Sequence, residues 1–149
     1  MKVAVLMGSE SDRDKMAPAA DTLRSFGLEA DVRVMSAHRS PAAVAEFARE
    51  ARQAGYVAVI CGAGMAAHLA GAVAAQTTLP VVGVPLSGGA IGGIDALYAT
   101  VQMPRGIPVA TVAIDGAMNA ALLVAQMVAV TDTEMAARLE EHRAGMATR

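Results

Sequence analysis

Residues 3–12 read VAVLMGSESD, and the change from apolar residues to glycine and polar residues within this stretch predicts the fold class. Its first half is an apolar run of strand length, and Gly8-Ser9 marks a turn directly after it. Asp12 can then cap a helix that continues to about Phe26, where Gly27 ends it. A buried strand, a turn and a helix in this order are typical of the first unit of a parallel α/β sheet.

The same alternation of strand and helix repeats along the rest of the chain. The further predicted strands cover residues 29–35, 57–61, 80–84 and 108–114, and further helices begin near residues 41, 65, 94, 119 and 131. Continuous Val, Ile and Ala runs are typical of strands that are buried on both faces. We therefore predict one domain over residues 1–149, with helices on both faces of a five-stranded parallel sheet. The last helix, about 131–146, suits packing on its own domain or on a neighbouring subunit.

Composition argues against several classes of function. Hydrophobic residues make up 54% of the chain and aromatic residues only 3%, so small side chains fill the core and the surplus apolar surface predicts an oligomer. The net charge is −2 and no basic tract is present, which argues against a nucleic-acid partner. Three histidines and one cysteine show no metal-ligand spacing. Cys61 lies in an apolar run, which predicts a buried thiol in a reducing cytoplasm.

Two apolar stretches have the length of membrane spans but not their pattern. Residues 56–75 are nearly uncharged, yet glycines and His68 interrupt them, and residues 107–130 are broken by Asp115. The N-terminal apolar run is interrupted by Gly8 after only seven residues, which argues against a signal peptide. The sequence therefore predicts neither a membrane location nor a secreted protein.

Polar residues cluster in the loops that follow the predicted strands. In an open parallel sheet, ligands bind beyond the carboxyl ends of the strands. The loop from Gly8 to Asp12 combines a glycine with a helix N-terminus, where free N–H groups attract phosphate. In the second loop, Arg39 supplies a planar fork for an anion, and His38 can move a proton near neutral pH. We predict that Ser9, Asp12, His38 and Arg39 hold a small phosphorylated ligand.

Two further loops are rich in glycine. Gly62-Ala63-Gly64 imitates a dinucleotide-binding fingerprint, but no acidic residue follows about twenty residues later to hold a ribose. Its glycines can instead let backbone amides approach a smaller anion, and His68, taken alone, is typical of a packing histidine. The glycines of residues 87–93 predict a loop that is mobile enough to close over a ligand. This loop lacks the lysine of a phosphate-binding Walker motif, so nucleotide triphosphate hydrolysis is not indicated. His142 lies between charged residues and fits a solvated face.

The motifs in these loops resemble those of the class I N5-carboxyaminoimidazole ribonucleotide (N5-CAIR) mutase family. Their order and spacing match over nearly the whole chain. The matching segments are MGSESD at 7–12, SAHRSP at 36–41, GAG at 62–64, AAHL at 66–69, GVP at 83–85, Tyr98 with VQMPRGIP at 101–108, and NAAL at 119–122.

This resemblance implies a flavodoxin-like, three-layer αβα fold in a cytoplasmic homo-octamer. It implies an isomerase of purine (IMP) biosynthesis that converts N5-CAIR to 4-carboxy-5-aminoimidazole ribonucleotide (CAIR), without metal or organic cofactor. The substrate loses CO2 in a closed pocket and the freed ring recaptures it. By the same resemblance, Ser9, Asp12 and Arg39 bind the ribose phosphate, His38 is the general acid and base, and His68 lines the site. The neighbouring substrate-binding positions are Gly8, Ser11, Ser36, Ala37 and Gly64.

The chain also departs from the family pattern. Met65 stands where the family usually has glycine, so its long side chain could crowd the pocket for CO2 or the ring, and Ala70 stands where the family usually has proline. Two alternatives remain open. A class II enzyme that carboxylates aminoimidazole ribonucleotide (AIR) with CO2 directly typically carries lysine where this chain has Arg39. A non-catalytic nucleotide- or flavin-binding module is disfavoured because few aromatic residues are present to sandwich a flavin.

Overall fold

Five parallel strands form the centre of the fold, as the alternation of elements predicts. In the computed structural model, which describes residues 1–147, the strands lie in the order β2-β1-β3-β4-β5. Their bounds are β1 Lys2–Met7, β2 Glu29–Val34, β3 Tyr56–Gly64, β4 Val81–Leu86 and β5 Ala110–Thr111. This is the strand order of a flavodoxin-like sheet.

Helices cover both faces of the sheet and complete a three-layer αβα domain. Their bounds are α1 Arg13–Ser25, α2 Pro41–Glu50, α3 Leu69–Ala74, α4 Ile94–Val101, α5 Ala117–Ala129 and α6 Thr133–Ala147. Val3 and Val5 of β1 pack towards α1, α5 and α6, whereas Ala4 and Leu6 pack towards α2 and α3. Because successive strand residues face opposite sides and both sides are buried, β1 reads as an unbroken apolar run.

The structure changes the predicted bounds of the strands, and the largest differences are in β3 and β5. The regular pairing of β5 with β4 covers Ala110 and Thr111, not residues 108–114, and Pro108 has no N–H to donate to it. Beyond β5, the N–H of Val112 still donates to the Gly83 carbonyl at 3.1 Å. β3 continues past its predicted end to Gly64. Its interior Gly62 fits there because a side chain would collide with Met16, whose Sδ would lie 2.3 Å from an added Cβ.

The last helix packs on its own domain. Met135 and Leu139 are buried in the core beside α5, and Arg138 Nη1 donates to the carbonyl oxygen of Phe26 at 2.8 Å. A contact with a neighbouring subunit remains a prediction. Within residues 1–147, none of the helices combines the length and the hydropathy needed to cross a membrane.

The sheet order creates one point where ligand binding is expected. After β1 the chain passes to β2 on one side, and it then returns to β3 on the other side of β1. The helices that follow β1 and β3 therefore lie on opposite faces, and a crevice opens between the loops at the carboxyl ends of these strands. The loops that carry the predicted site residues meet at this crevice.

Candidate active site

The loop after β1 is shaped by hydrogen bonds among its own polar residues. The N–H of Ser9 donates to Asp12 Oδ2 at 3.1 Å, and Ser9 Oγ accepts from the Ser11 hydroxyl at 2.9 Å. These bonds hold Glu10–Asp12 in a single turn of 3₁₀ helix that leads into α1. The prediction that Asp12 caps α1 is wrong, because its carboxylate turns back to Ser9 and makes no capping bond to α1. The loop thus presents a hydroxyl and a carboxylate at the helix entrance.

The loop after β2 places Arg39 against the first loop. Arg39 Nη2 donates to the carbonyl oxygen of Gly8 at 2.9 Å, and the Arg39 N–H donates to Ser36 Oγ at 3.2 Å. The hydroxyl of Ser40 donates to the Ser36 carbonyl at 3.1 Å, and Pro41 then begins α2 as predicted. Because a guanidinium has five donors and Arg39 is exposed, donors remain for a ligand.

Two histidines from different loops meet beside these residues. His38 Nε2 lies 2.8 Å from His68 Nδ1, and the ring centroids are 4.9 Å apart at an angle of 81°. At this distance one nitrogen donates the proton that the other accepts. The interpretation of His68 alone as a packing histidine is wrong, since its ring is exposed and lines the same cavity as His38. Histidine is the side chain suited to move a proton near neutral pH, so the pair fits the predicted role of His38, which stays a prediction.

The turn after β3 brings His68 to this position. Met65 adopts a left-handed backbone with φ of +50°, and the His68 N–H donates to the Ala66 carbonyl at 2.9 Å. α3 begins only at Leu69, so the helix does not start directly after Gly64 as a dinucleotide-binding loop requires. The structure therefore argues against a dinucleotide-binding loop, and the smaller-anion interpretation stays a prediction.

These three loops enclose one open cavity of about 310 Å³. Every residue predicted for the site lines it: Gly8, Ser9, Ser11, Asp12, Ser36, Ala37, His38, Arg39, Gly64 and His68. The remaining lining residues, absent from that prediction, are Ala63, Met65, Ala66 and Leu69. The volume lies at the lower end of the range for small-molecule sites. The cavity combines donors for an anion with a proton-transfer pair, while the role of each residue stays a prediction.

The glycine-rich loop at residues 87–93 does not line this cavity, and its first residue is held by α1 and by the segment before α5. Lys15 Nζ on α1 donates to the Ser87 carbonyl and, at 2.8 Å, to Ser87 Oγ. The Ser87 N–H donates to Asp115 Oδ1 at 2.8 Å. Burial raises the pKa of Asp115, but the bonds from Ser87 and the charge of Lys15 bring it below its usual value. The sequence analysis did not select Lys15 as a residue that holds the 87–93 loop. Its one local signal was its position three residues after Asp12, a spacing that lets the two side chains interact.

The other reactive side chains lie away from the cavity. Cys61 is buried in β3, and burial raises the pKa of its thiol, which therefore stays protonated at neutral pH. His142 is half-buried against Phe26, with ring centroids 5.5 Å apart, so the predicted solvated position is wrong. Within residues 1–147, no group of three or more His, Cys, Asp or Glu side chains is arranged to hold a metal ion.

Replacing Asp12 by asparagine should raise the melting temperature at neutral pH. Burial raises the pKa of the Asp12 carboxyl, and the Ser9 N–H, Lys15 and Arg39 lower it by less, so it stays above its usual value. Such a carboxyl stabilises the fold below its unfolded pKa of about 3.9, and this contribution is lost as the pH rises through the folded pKa. The neutral amide avoids that loss, so the gain seen at pH 7 should vanish below about pH 3.

Calorimetry of the wild type and Asp12→Asn across this pH range tests the expectation. Asp14→Asn, an exposed position on the first turn of α1, is the matched control and should show no such pH-dependent gain. An Asp12→Asn variant that melts below the wild type at pH 7 would contradict the prediction.

Comparison with known proteins gives matches that extend over nearly the whole chain. A family model described as AIR carboxylase matches residues 2–149. A Brucella melitensis protein named N5-carboxyaminoimidazole ribonucleotide mutase is 52% identical over 95% of this chain and 88% of its own length. A Pyrococcus abyssi protein of the same name is 47% identical over 97% of this chain and 83% of its own length. The crystal structure of Treponema denticola PurE is similar with a TM-score of 0.90 and 30% identity, over 99% of this chain and 92% of that chain.

Proposed function

Because the chain belongs to the AIR carboxylase family, we propose that the cavity at the ends of β1, β2 and β3 is an active site that converts N5-CAIR to CAIR. The activity is that of an N5-CAIR mutase, an isomerase of purine biosynthesis. The observation that carries the assignment of the site is the contact between His38 and His68 beside the loops of Ser9 and Arg39. A proton carrier and an anion-binding surface in one cavity suit a phosphorylated substrate that must gain and lose a proton.

The polar residues divide between the two parts of the nucleotide. Ser9 Oγ and the Arg39 guanidinium are donors and suit the phosphate, aided by the positive end of the helix at Glu10–Asp12 and α1. The Asp12 carboxylate only accepts hydrogen bonds, so it suits the hydroxyl groups of the ribose. With the phosphate and the ribose held in this way, the aminoimidazole ring extends towards His38 and His68.

One histidine can serve both chemical steps. In the first, the bond between the exocyclic nitrogen and the carboxyl carbon breaks, CO2 is released, and the nitrogen takes a proton from His38. In the second, the ring carbon attacks the same CO2 and then loses its own proton to His38, which restores the starting state. His68 at 2.8 Å can hold His38 in the required orientation and tautomer between the steps. No metal or organic cofactor takes part in this proposal.

Solvent has to be kept out between these two steps. CO2 that leaves the cavity is lost to the reaction, so the ring and the freed CO2 must stay together in an enclosed space. The cavity is open to solvent, so the proposed reaction requires that part of the protein or the substrate itself covers it.

We propose a homo-octamer in solution, and an apolar stripe on α4 supports self-association. Ile94, Tyr98 and Val101 lie on one face of this helix and are 44%, 62% and 47% exposed, and Ile91 just before the helix is 58% exposed. A contiguous apolar surface of this kind is typical of protein interfaces. A second copy of the chain can bury it.

Replacing Tyr98 by glutamate should therefore dissociate the assembly, because a charge would be buried in the contact. Sedimentation velocity of the variant measures its mass, and Tyr98→Phe, which keeps the ring, should assemble like the wild type. A Tyr98→Glu protein with an undiminished mass would rule out this face as the interface.

A cytoplasmic location is also part of the proposal. It is supported by the single Cys61, which is unpaired and buried, as is typical of proteins folded in a reducing compartment.

The activity is tested by supplying purified protein with N5-CAIR and following the formation of CAIR. Formation well above the spontaneous rate is expected, and its absence would overturn the proposed site. AIR with bicarbonate, supplied in a parallel reaction, should give little product, which separates the mutase from the direct carboxylase. Purified protein that retains a tightly bound flavin would instead favour the non-catalytic module.

A further inference from the structure

Met65 brings a sulfur atom into the candidate site. Within the part of the chain that the structure describes, it is the one methionine or cysteine among the residues that line the cavity. Its side chain is 60% exposed, whereas Cys61 in the preceding strand is 1% exposed. A thioether carries no charge and no transferable proton, so the proposed proton transfers do not use it. Its sulfur is nevertheless an atom that peroxides oxidise readily.

Oxidants can reach this sulfur by the route that the substrate takes. The cavity is open to solvent, and by the proposed function it admits a nucleotide with a phosphate, a ribose and an imidazole ring. A hydroperoxide is far smaller than such a nucleotide. Self-association of the chain cannot remove this access without also excluding the substrate. The Met65 thioether is therefore reachable in the assembled protein whenever the site is empty.

One side of the Met65 side chain is already filled by the glycine-rich loop. A Cβ added to Gly89 would lie 3.2 Å from Met65 Cγ and 3.5 Å from Sδ, so no space for a further atom remains between the two residues. Lys15 holds the start of this loop through Ser87, which limits how far the loop can give way. An oxygen bonded to Sδ would displace the loop on this side, and on the other sides it enters the cavity or its mouth.

An oxygen in this place acts against substrate binding. Oxidation turns the apolar thioether into a polar sulfoxide, whose oxygen carries a partial negative charge. N5-CAIR is an anion at its phosphate and at its carbamate, so this oxygen repels it. Met65 lies in the same turn as His68, which places the oxygen in the part of the cavity assigned to the ring and its carboxylate. Oxidation should therefore lower kcat/KM for N5-CAIR.

Resting on the proposed function, we propose that Met65 is an oxidation site at which a hydroperoxide reversibly lowers the mutase activity. A lone pair of Sδ attacks one peroxide oxygen, the O–O bond breaks, and an S–O bond forms. The thioether loses two electrons and becomes the sulfoxide, while hydrogen peroxide is reduced to water, which keeps both protons. Reductases that return methionine sulfoxide to methionine, one for each epimer, reverse the step.

Treatment of the purified wild type with hydrogen peroxide tests the proposal through two readouts. Peptide mass spectrometry measures sulfoxide at Met65, and initial rates with N5-CAIR measure activity after the peroxide is removed. Activity should fall several-fold in parallel with sulfoxide formation at Met65, and both classes of sulfoxide reductase together should restore it. Met65→Leu has no sulfur at this position, so after the same exposure it should retain the activity of its own untreated sample.

Two exposed methionines outside the cavity provide the matched control. Met118 is 51% exposed and Met146 is 55% exposed, close to the value for Met65, and neither lines the cavity. Both should form sulfoxide under the same treatment, yet Met118→Leu and Met146→Leu should lose activity as the wild type does. CAIR bound in the cavity should slow sulfoxide formation at Met65 and leave that at Met118 and Met146 unchanged.

Met65→Gly gives the same test if the leucine variant does not fold, because glycine freely adopts the left-handed backbone found here, with φ of +50°. A loss of activity in these variants equal to that of the wild type would overturn the role of Met65. Full activity in wild type that carries the sulfoxide at Met65, or a Met65 that stays reduced while Met118 is oxidised, would do the same. Absence of CAIR formation by the untreated wild type would instead overturn the proposed function.

Discussion

Replacing His38 by asparagine should lower kcat by roughly 10²- to 10⁴-fold, the usual contribution of a positioned general acid or base. Asparagine keeps a polar side chain of similar size but cannot carry a proton between the nitrogen and the ring carbon. His38 is exposed, and within residues 1–147 its side chain has one hydrogen-bond partner, His68, so the substitution should leave the fold intact. Substrate affinity should change little, because the phosphate contacts are assigned to Ser9 and Arg39. Steady-state kinetics with N5-CAIR, together with nucleotide binding by calorimetry, separate these two effects.

A matched control is available elsewhere in the chain. His142→Asn makes the same substitution against Phe26, far from the cavity, and should keep full activity. His68→Asn should have a smaller effect than His38→Asn and should shift the pH profile of kcat, since it removes the partner of the His38 ring. Full activity in His38→Asn would show that another group moves the proton.

Replacing Arg39 by methionine should weaken substrate binding by roughly 10- to 100-fold, because hydrogen bonds to a charged group contribute about 1.5–3 kcal/mol. Methionine keeps much of the apolar stem but removes the guanidinium that contacts Gly8 and points into the cavity. The effect should fall on KM more than on kcat, since the phosphate is remote from the reacting atoms. Inhibition by inorganic phosphate should weaken in parallel.

Two comparison variants define what Arg39 contributes. Arg39→Lys keeps the charge but loses the planar fork, so its KM should lie between those of the wild type and Arg39→Met. Arg49→Met removes an exposed arginine on α2 that bonds only to Gln76, and it should leave both constants unchanged. A KM for Arg39→Met equal to that of the wild type would remove Arg39 from the phosphate site.

The site residues were predictable because their signals are local. Gly8 to Asp12 and Ser36 to Arg39 each follow an apolar strand directly, and the rule that ligands bind beyond strand ends needs no knowledge of the whole fold. The resemblance then assigned separate roles to residues already selected for their chemistry. Neither source indicated Lys15, because its partner Ser87 is 72 residues away in the chain.

Some predictions from local patterns failed because another contact or the packing decided the outcome. Asp12 is a residue type that often caps helices, yet its carboxylate accepts a hydrogen bond from the Ser9 N–H within the loop. His142 lies among charged residues, yet the packing of α6 on Phe26 half-buries its ring. β5 is only two residues long, and Pro108 in the predicted strand has no N–H to donate to a neighbour.

The sequence by itself determined the alternation of strands and helices, the burial of the sheet on both faces, and the loops in which the chemistry lies. Each of these depends on residues that are close in the chain, through hydrophobic periodicity and turn preference. Only the tertiary structure decided that His38 meets His68 and that Met65 lies against Gly89. Those contacts depend on the strand order, which brings the loops after β1, β2, β3 and β4 to one edge of the sheet through pairings that no local pattern specifies. The sequence thus identified the anion-binding loops, and the sheet order made them one cavity.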